Sequence, residues 1–578
     1  MDKNTVIAIV LSTVVIILGF SIQTIFFPSD PIQPGKTENV SLSEPVNVAQ
    51  PASSQPQETT VSVIEEESSL TEERFVIETP LVKVEFTNRG GDIVSYHLKN
   101  HIDQGNFVQM AEIINQGNRA FSLKLGDSNG TPVDQLFNVR RIGDHVIGFY
   151  RTMMVRNQDG TSGSFTLAKQ YTFNPDDYMF ELEITIDGDQ SFNGLHIGDA
   201  SYTLQTSPQI GPHWNVQQDK YEYRHFFYLQ DNKKKTLKLN PGQTRSVESP
   251  FSWIGVAGKY FTLIAVPDFS VKNAFVTTMS EEPDTTRAQM YIVRSPINQI
   301  RNTDTWRFYV GPRTDKNLAK YNVLTNNPYG LNNAKLNEIV GSSGPLAPLE
   351  ILLKWIMELF YKLIPNWGVS IILMTILMRI VIFPLTKKSS ESTLKMQELQ
   401  PKIKEIQEKY KDNQQKMNEE MAKFYKTAGY NPLSGCLPML IQFPLIFAMY
   451  GLFNNYFEFR GAMFIPGWIP DLSQGDSIFK FGFELPFLGN ELRILPIIYV
   501  VSQLLFGKVT QTPGATQQNS SMKIMMYGMP LIFFFLFYNA PAGLILYWTL
   551  SNILTLVQQV IINKMMHAKK NGLHLIKQ

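Results

Sequence analysis

Arg379 interrupts an apolar run that is otherwise free of charge from Val369 to Leu385. At the centre of a membrane-spanning helix an arginine costs about 2.5–3.5 kcal/mol on insertion scales, so its presence needs a compensating role. Two readings stand side by side. The side chain can snorkel toward headgroups near Lys387, about two turns away, or it can face a wet cavity inside a helical bundle. Thr375, one turn earlier on the same face, prolongs a polar stripe. Gln442, Ser551, Asn552, Gln558 and Gln559 lie in other apolar runs, where uncharged polar side chains more often join helices than bind substrates. No such run carries Asp or Glu at its middle, which weakens the rival reading of a proton- or ion-coupled transporter or channel. The chemistry on offer is binding, not bond-making.

Elsewhere the residue types argue against catalysis. Six of eight histidines (His97, His101, His145, His196, His213 and His225) fall in one polar region without a metal-ligand spacing. The single cysteine, Cys436, excludes an internal disulfide and a cysteine-rich metal site. A net charge of +1 gives no whole-chain signal for nucleic acid. A tethered sugar-binding or sugar-processing β domain remains a third reading, with no residue set to support it.

The elements that must position these residues follow from hydropathy. The mean hydropathy of -0.11 averages two unlike populations, and 578 residues exceed one ordinary domain. Val6–Phe27 is uncharged and long enough to span about 30 Å of hydrocarbon. An uncleaved anchor over 1–28 fits better than a cleaved signal peptide, because the run is long and no A-x-A site follows. A Pro-, Ser- and Glu-rich stretch, 29–73, has the composition of a disordered linker. From 74 to 340 the period is two: Phe180, Leu182, Ile184 and Ile186 alternate with Glu181, Glu183, Thr185 and Asp187. Gly90-Gly91, Asn174-Pro175-Asp176-Asp177 and Asn240-Pro241-Gly242 mark turns. This predicts a large all-β domain, a sandwich.

The second half reads as helices. In 349–365 Glu350, Lys354, Glu358 and Lys362 form one stripe on an apolar helix, the pattern of an interfacial helix. Five spans are expected within 366–565: Val369–Leu385, Leu433–Phe453, Leu492–Val509, Lys523–Tyr538 and Ala542–Ile562. Between the first two, 386–430 reads as a helical hairpin with one apolar seam: Leu399, Ile403, Ile406 and Tyr410 stand at helical spacing, and Met417, Met421 and Phe424 repeat it after a break at Lys411-Asp412-Asn413. Pro401 is expected to kink or start its first helix. Ten lysines against seven acids in Lys387–Lys426, and a basic tail at 566–578, place both in the cytoplasm. Counting back, both termini are cytoplasmic and the β domain lies outside.

Three stretches resemble the signatures of the YidC membrane insertases: Asn431–Pro444 (NPLSGCLPMLIQFP), Arg379–Thr386 (RIVIFPLT) and Pro541–Asn552 (PAGLILYWTLSN). Ser252–Gly255 (SWIG) and Tyr309–Pro312 (YVGP) resemble the family's large periplasmic domain. Ser434 departs from the glycine of many members. The resemblance covers the whole chain and implies a Gram-negative type of architecture. That is an N-terminal anchor, a periplasmic β-supersandwich similar to sugar mutarotases but without known catalysis, and a five-span helical core. It implies a hydrophilic groove open to the cytoplasm and to lipid, closed toward the periplasm, in which Arg379 draws in the polar or acidic outer segment of a substrate. Thr375, Tyr547 and Trp548 match substrate-contacting positions; Gln442, Ser551 and Asn552 would add polar lining. The implied partners are nascent membrane proteins, the Sec translocon with its accessory components, the ribosome at the cytoplasmic loops and tail, and the inner-membrane bilayer. Transfer of apolar substrate surface into lipid would drive insertion, so no nucleotide, metal or other cofactor is expected.

Overall fold

The computed structural model describes residues 70–576, except 104, 113–118, 157–161, 193, 208–209, 213, 215–221, 283–284, 342–344, 431–436, 486–487 and 511–519. The expected anchor at 1–28, nearly all of the 29–73 linker, the Asn431–Cys436 part of one motif and the last two tail residues lie outside them. Two compact units divide at about Gly341.

The first unit is built from antiparallel sheets. A nine-stranded sheet runs from an edge at Lys233–Leu237 to the other at Asn138–Gly143, with Arg301–Pro312, Met179–Gly188 and Ser162–Phe173 adjacent near its middle. The period-two pattern decides its faces. Phe180, Leu182, Ile184 and Ile186 are buried, while Glu181, Glu183 and Thr185 are half-buried on the opposite side. Register brings Phe173 and Phe308 beside Phe180, and Tyr171 and Trp306 beside Leu182. A four-stranded sheet reaches this inner face through Phe86, 5.0 Å from the Tyr171 ring. A six-stranded sheet reaches it through Tyr202, whose hydroxyl donates to Asp304 at 2.7 Å and accepts from Trp306 Nε1 at 3.2 Å. Full burial of each large apolar side chain contributes roughly 1.5–3 kcal/mol, which makes this ring cluster the main source of the unit's stability.

Charges are buried there too, in pairs. Lys169, fully buried, donates to Asp92 at 2.5 Å and to the carbonyls of Gly90 and Phe121 at 3.1 and 2.8 Å. Arg119 donates to the other Asp92 oxygen at 3.0 Å and to Asp134 at 2.6 Å. Lys169 thus meets the Asp92 carboxylate across two sheets, and Arg119 shares that carboxylate, as buried charge requires. His225, stacked on Tyr223 with centroids 4.3 Å apart, is held by burial, and then by Lys238 and Arg313, down to about 3.

The second unit is helical: α1 (Ala347–Leu363), α2 (Trp367–Lys409), α3 (Gln414–Thr427), α4 (Leu437–Asn455), α5 (Leu495–Thr510), α6 (Ser520–Phe537) and α7 (Ala542–Ile576). α1 buries Leu353 and Met357, while Ile351, Leu352, Trp355, Leu359 and Leu363 are exposed. Its charged stripe turns partly inward: Glu358 accepts from Tyr456 Oη at 3.0 Å, and Lys354 lies over the Tyr456 ring. Asn366 caps α2 by accepting from Val369 N at 3.1 Å.

α2 does not stop where the expected span and hairpin meet. It continues for 43 residues through Pro384 and Pro401, so Pro401 does not start a helix. Each proline forfeits one backbone bond, and the intact turns on either side hold the helix together. The turn at Tyr410–Asn413 follows, Asn413 caps α3, and the α3 seam of Met417, Met421 and Phe424 is half-buried. α7 likewise runs past the expected tail boundary to Ile576.

Exposure on these helices is inverted relative to a water-soluble bundle. Ile497, Val501 and Leu505 on α5, Leu531, Ile532, Phe535 and Leu536 on α6, and Ile553, Val557, Val560 and Ile561 on α7 all face outward. Such a surface suits hydrocarbon and is costly in water. Among the described residues, Trp367–Ser392 and Ala542–Met565 are long and apolar enough to cross a bilayer, and Leu495–Lys508 and Tyr527–Phe537 are shorter apolar helices.

Candidate functional site

The polar residues that break the apolar runs meet between α2 and α7. Arg379 is only 7% exposed. Its Nη2 donates to the hydroxyl of Ser551, and its backbone carbonyl accepts from Gln558 Nε2 at 2.9 Å. Tyr547, one turn before Ser551 and buried, lies within hydrogen-bonding reach of that hydroxyl. One arginine therefore binds α7 at two points about two turns apart. No carboxylate pairs with it among the described residues. A guanidinium carries five N–H donors, and burying that charge against neutral hydroxyls leaves it strongly undersupplied with acceptors.

The other expected site residues separate into two groups. Thr375 is 1% exposed and returns its hydroxyl to the Ile371 carbonyl of its own helix at 2.6 Å, so it lines the same face without reaching Arg379 by hydrogen bond. Tyr547 stacks on Phe453 of α4, centroids 5.8 Å apart. Trp548 points the other way, between Phe537 of α6 at 4.8 Å and Tyr499 of α5 at 6.1 Å, and its buried Nε1 has no hydrogen-bond partner. Asn552 makes a long 3.4 Å bond to Ser502 of α5. Gln442 is half-buried on α4 and makes no hydrogen bond to the Arg379 group. Arg379, Ser551, Tyr547 and Thr375 thus form one seam, whereas Trp548 and Asn552 look toward α5 and α6.

Sequence reasoning missed how far the seam extends. Ser390, eleven residues and three turns beyond Arg379, donates to Gln559 at 3.0 Å, and Gln559 donates to Asn563 at 2.9 Å. The i, i+4, i+15 spacing of Thr375, Arg379 and Ser390 could have found it. The Gln558 Oε1 and Thr549 Oγ1 atoms are buried without partners. Buried polar atoms of this kind are hydrogen-bonded in the great majority of proteins. Among the described residues no cluster of His, Cys, Asp and Glu could hold a metal.

At the opposite end, the segment between α4 and α5 is knitted onto the bundle. Asp476 accepts from Trp468 Nε1 at 2.9 Å and from the backbone N–H groups of Ile494 and Leu495 at 2.8 and 2.9 Å. The first free N–H groups of α7, at Ala542 and Gly543, donate to the carbonyls of Gln474 and Leu472 at 2.6 and 2.9 Å.

Both units match known family models: the YidC periplasmic domain over 74–334 and the 60Kd inner membrane protein over 359–570. A membrane protein insertase YidC of Treponema denticola is 52% identical, covering 98% of this chain and 100% of its own. One of Treponema pallidum is 44% identical over 99% of this chain and 100% of its own. A solved active YidC insertase structure with its first transmembrane domain resolved covers 95% of this chain and 98% of its own, at 20% identity and a TM-score of 0.34. With both units matched and a relative more than half identical along almost the entire length, the chain belongs to the YidC family of membrane protein insertases.

Proposed function

We propose that this protein is a membrane protein insertase of the inner membrane, taking nascent membrane proteins into the bilayer alone and, for larger clients, beside the Sec translocon. The observation that carries the reading is the buried guanidinium of Arg379, held by neutral groups and lacking a carboxylate among the described residues. Such a group attracts an acidic or polar segment entering from water. Around it the outward-facing side chains of α5, α6 and α7 are apolar, so hydrophobic client segments have lipid beside the seam.

The steps follow from these surfaces. The outer segment of a client enters the Thr375–Arg379–Ser551 seam from the cytoplasmic side, where Ser390, Gln559 and Asn563 prolong it. Its polar path through hydrocarbon is shortened, and its apolar spans slide into lipid, which supplies the driving force. Gln442, Tyr547, Trp548, Ser551 and Asn552 line or brace this route. The α2–α3 hairpin and the lysine-bearing end of α7 recruit clients and the ribosome. In this arrangement 1–28 anchors the chain, 74–340 lies in the periplasm, five spans occupy 366–565, and both termini are cytoplasmic. Insertion breaks no covalent bond, so the protein acts without enzymatic turnover or cofactor.

The test is the purified protein alone in liposomes, offered a small phage-coat-like membrane protein, with protease protection as readout. Protection above that of empty liposomes is expected. Protection only after Sec components are added would recast the protein as a translocon-bound chaperone, and failure under both conditions would return solute transport to the front.

A further inference from the structure

The segment between α4 and α5 carries a two-stranded antiparallel hairpin, Phe479–Leu485 with Gly489–Leu492. Phe479, Phe481 and Phe483 alternate along its first strand and therefore share a face. Their rings form a ladder, with centroids 5.3 Å apart from Phe479 to Phe481 and 5.6 Å apart from Phe481 to Phe483. Among the described residues nothing covers the ends of this ladder: Phe479 is 56% and Phe483 62% exposed. Ile478 and Met463 add exposed apolar surface. The other face is charged and internally paired. Lys480 sits opposite Glu491 in register and binds it at 2.9 Å, and Glu491 also binds Arg493 at 2.8 Å.

We infer that this hairpin is an interfacial anchor whose phenylalanine face enters the outer-leaflet boundary of the phospholipid bilayer while its Lys480–Glu491 face stays in water. The inference rests on the membrane reading of the second unit. Phospholipid is favoured over a protein occupant by chain continuity. Leu492, the partner of Phe479, lies three residues before α5, whose Ile497, Val501 and Leu505 are exposed as a lipid-facing stripe. The hairpin's depth is also fixed, because Arg493 donates to Asn539 at 3.1 Å and to the Asp476 carbonyl at 3.1 Å, beside the Asp476 cap of α5. The ladder is thus held at the end of a lipid-facing helix, the level at which amphipathic aromatic surfaces partition.

The experiment uses the full-length protein with Cys436→Ser, carrying a nitroxide at one introduced cysteine, in liposomes of phosphatidylethanolamine and phosphatidylglycerol. Collision with oxygen, which concentrates in lipid, is compared with collision with a water-soluble nickel chelate. Ile532→Cys, on the exposed face of α6, serves as the membrane reference. A label at Phe483→Cys is expected to favour oxygen over nickel severalfold, and one at Lys480→Cys the reverse. Equal nickel access at both positions would overturn the anchor. Shielding of position 483 from both reagents would overturn it in favour of a protein cover. If the label at position 532 also favours nickel, the membrane reading itself fails, and the two failures are thereby distinguished.

Discussion

Replacing Arg379 with leucine separates a structural tie from a working charge, because the two roles predict opposite signs for stability. On insertion scales a central arginine costs about 2.5–3.5 kcal/mol and leucine gains about 0.3–0.6, so the exchange favours the membrane-embedded fold by roughly 3–4 kcal/mol. Against this stands the loss of the charge-assisted bond to Ser551, worth about 1.5–3 kcal/mol. The bond from Gln558 to the Arg379 carbonyl survives, since it is made to the backbone. The freed Ser551 hydroxyl keeps Tyr547 within reach. The net expectation is a protein as stable as the parent or up to about 2 kcal/mol more stable. Unfolding in mixed detergent, followed by tryptophan emission, measures this. Insertion in liposomes should fall markedly for a client with an acidic outer segment and little for one whose outer segment is neutral. A variant destabilised by about 2 kcal/mol or more, with equal loss for both clients, would refute the reasoning and make Arg379 a clamp between α2 and α7.

Other perturbations test the framework. Asp92→Ala strands Lys169 fully buried with two backbone carbonyls, and urea unfolding of the β unit should show a loss of about 3–5 kcal/mol. His225 binds its proton only near pH 3 in the fold, against an ordinary value of 6.5. Between these values the unfolded chain holds more protons, so its contribution is full above about pH 6.5 and is lost as pH falls toward 3. By pH 5 this amounts to about 2 kcal/mol, and His225→Gln should flatten that part of the pH–stability curve. Asp476→Ala removes the acceptor for Trp468 and for two N–H groups at the start of α5. Faster amide hydrogen exchange at Ile494 and Leu495 is expected, with a stability loss of about 1–3 kcal/mol.

What was legible in the sequence was periodicity. Alternation at Phe180–Ile186 named the inner face of the large sheet, because a strand's two faces are one residue out of step. Arg379 declared itself by its cost in an apolar run. What stayed hidden was partnership. Ser551, Gln558 and Gln559 look alike as polar interruptions of one helix, yet they bind a guanidinium, a carbonyl and Ser390 respectively. Tyr547 and Trp548 are adjacent and stand about 100° apart on their helix, but that Tyr547 meets α4 and Trp548 meets α5 and α6 is set by the packing and not by spacing. The length of α2 was also illegible: a proline in sequence suggests a boundary, and only the surrounding turns decide whether the helix survives it.

That unbroken α2 has a mechanical consequence. A helix bends most readily where a proline leaves a turn without its bond, so α2 has two built-in points of slack, Pro384 and Pro401. Ser390 is tethered to Gln559 between them, which clamps the upper joint and leaves the lower one outside the clamp. The eight residues that follow Pro401, through Lys409, form a lever arm of about 12 Å. Rotation about Pro401 would let the hairpin tip swing while the arginine seam, held beyond the Ser390–Gln559 tie, keeps its register.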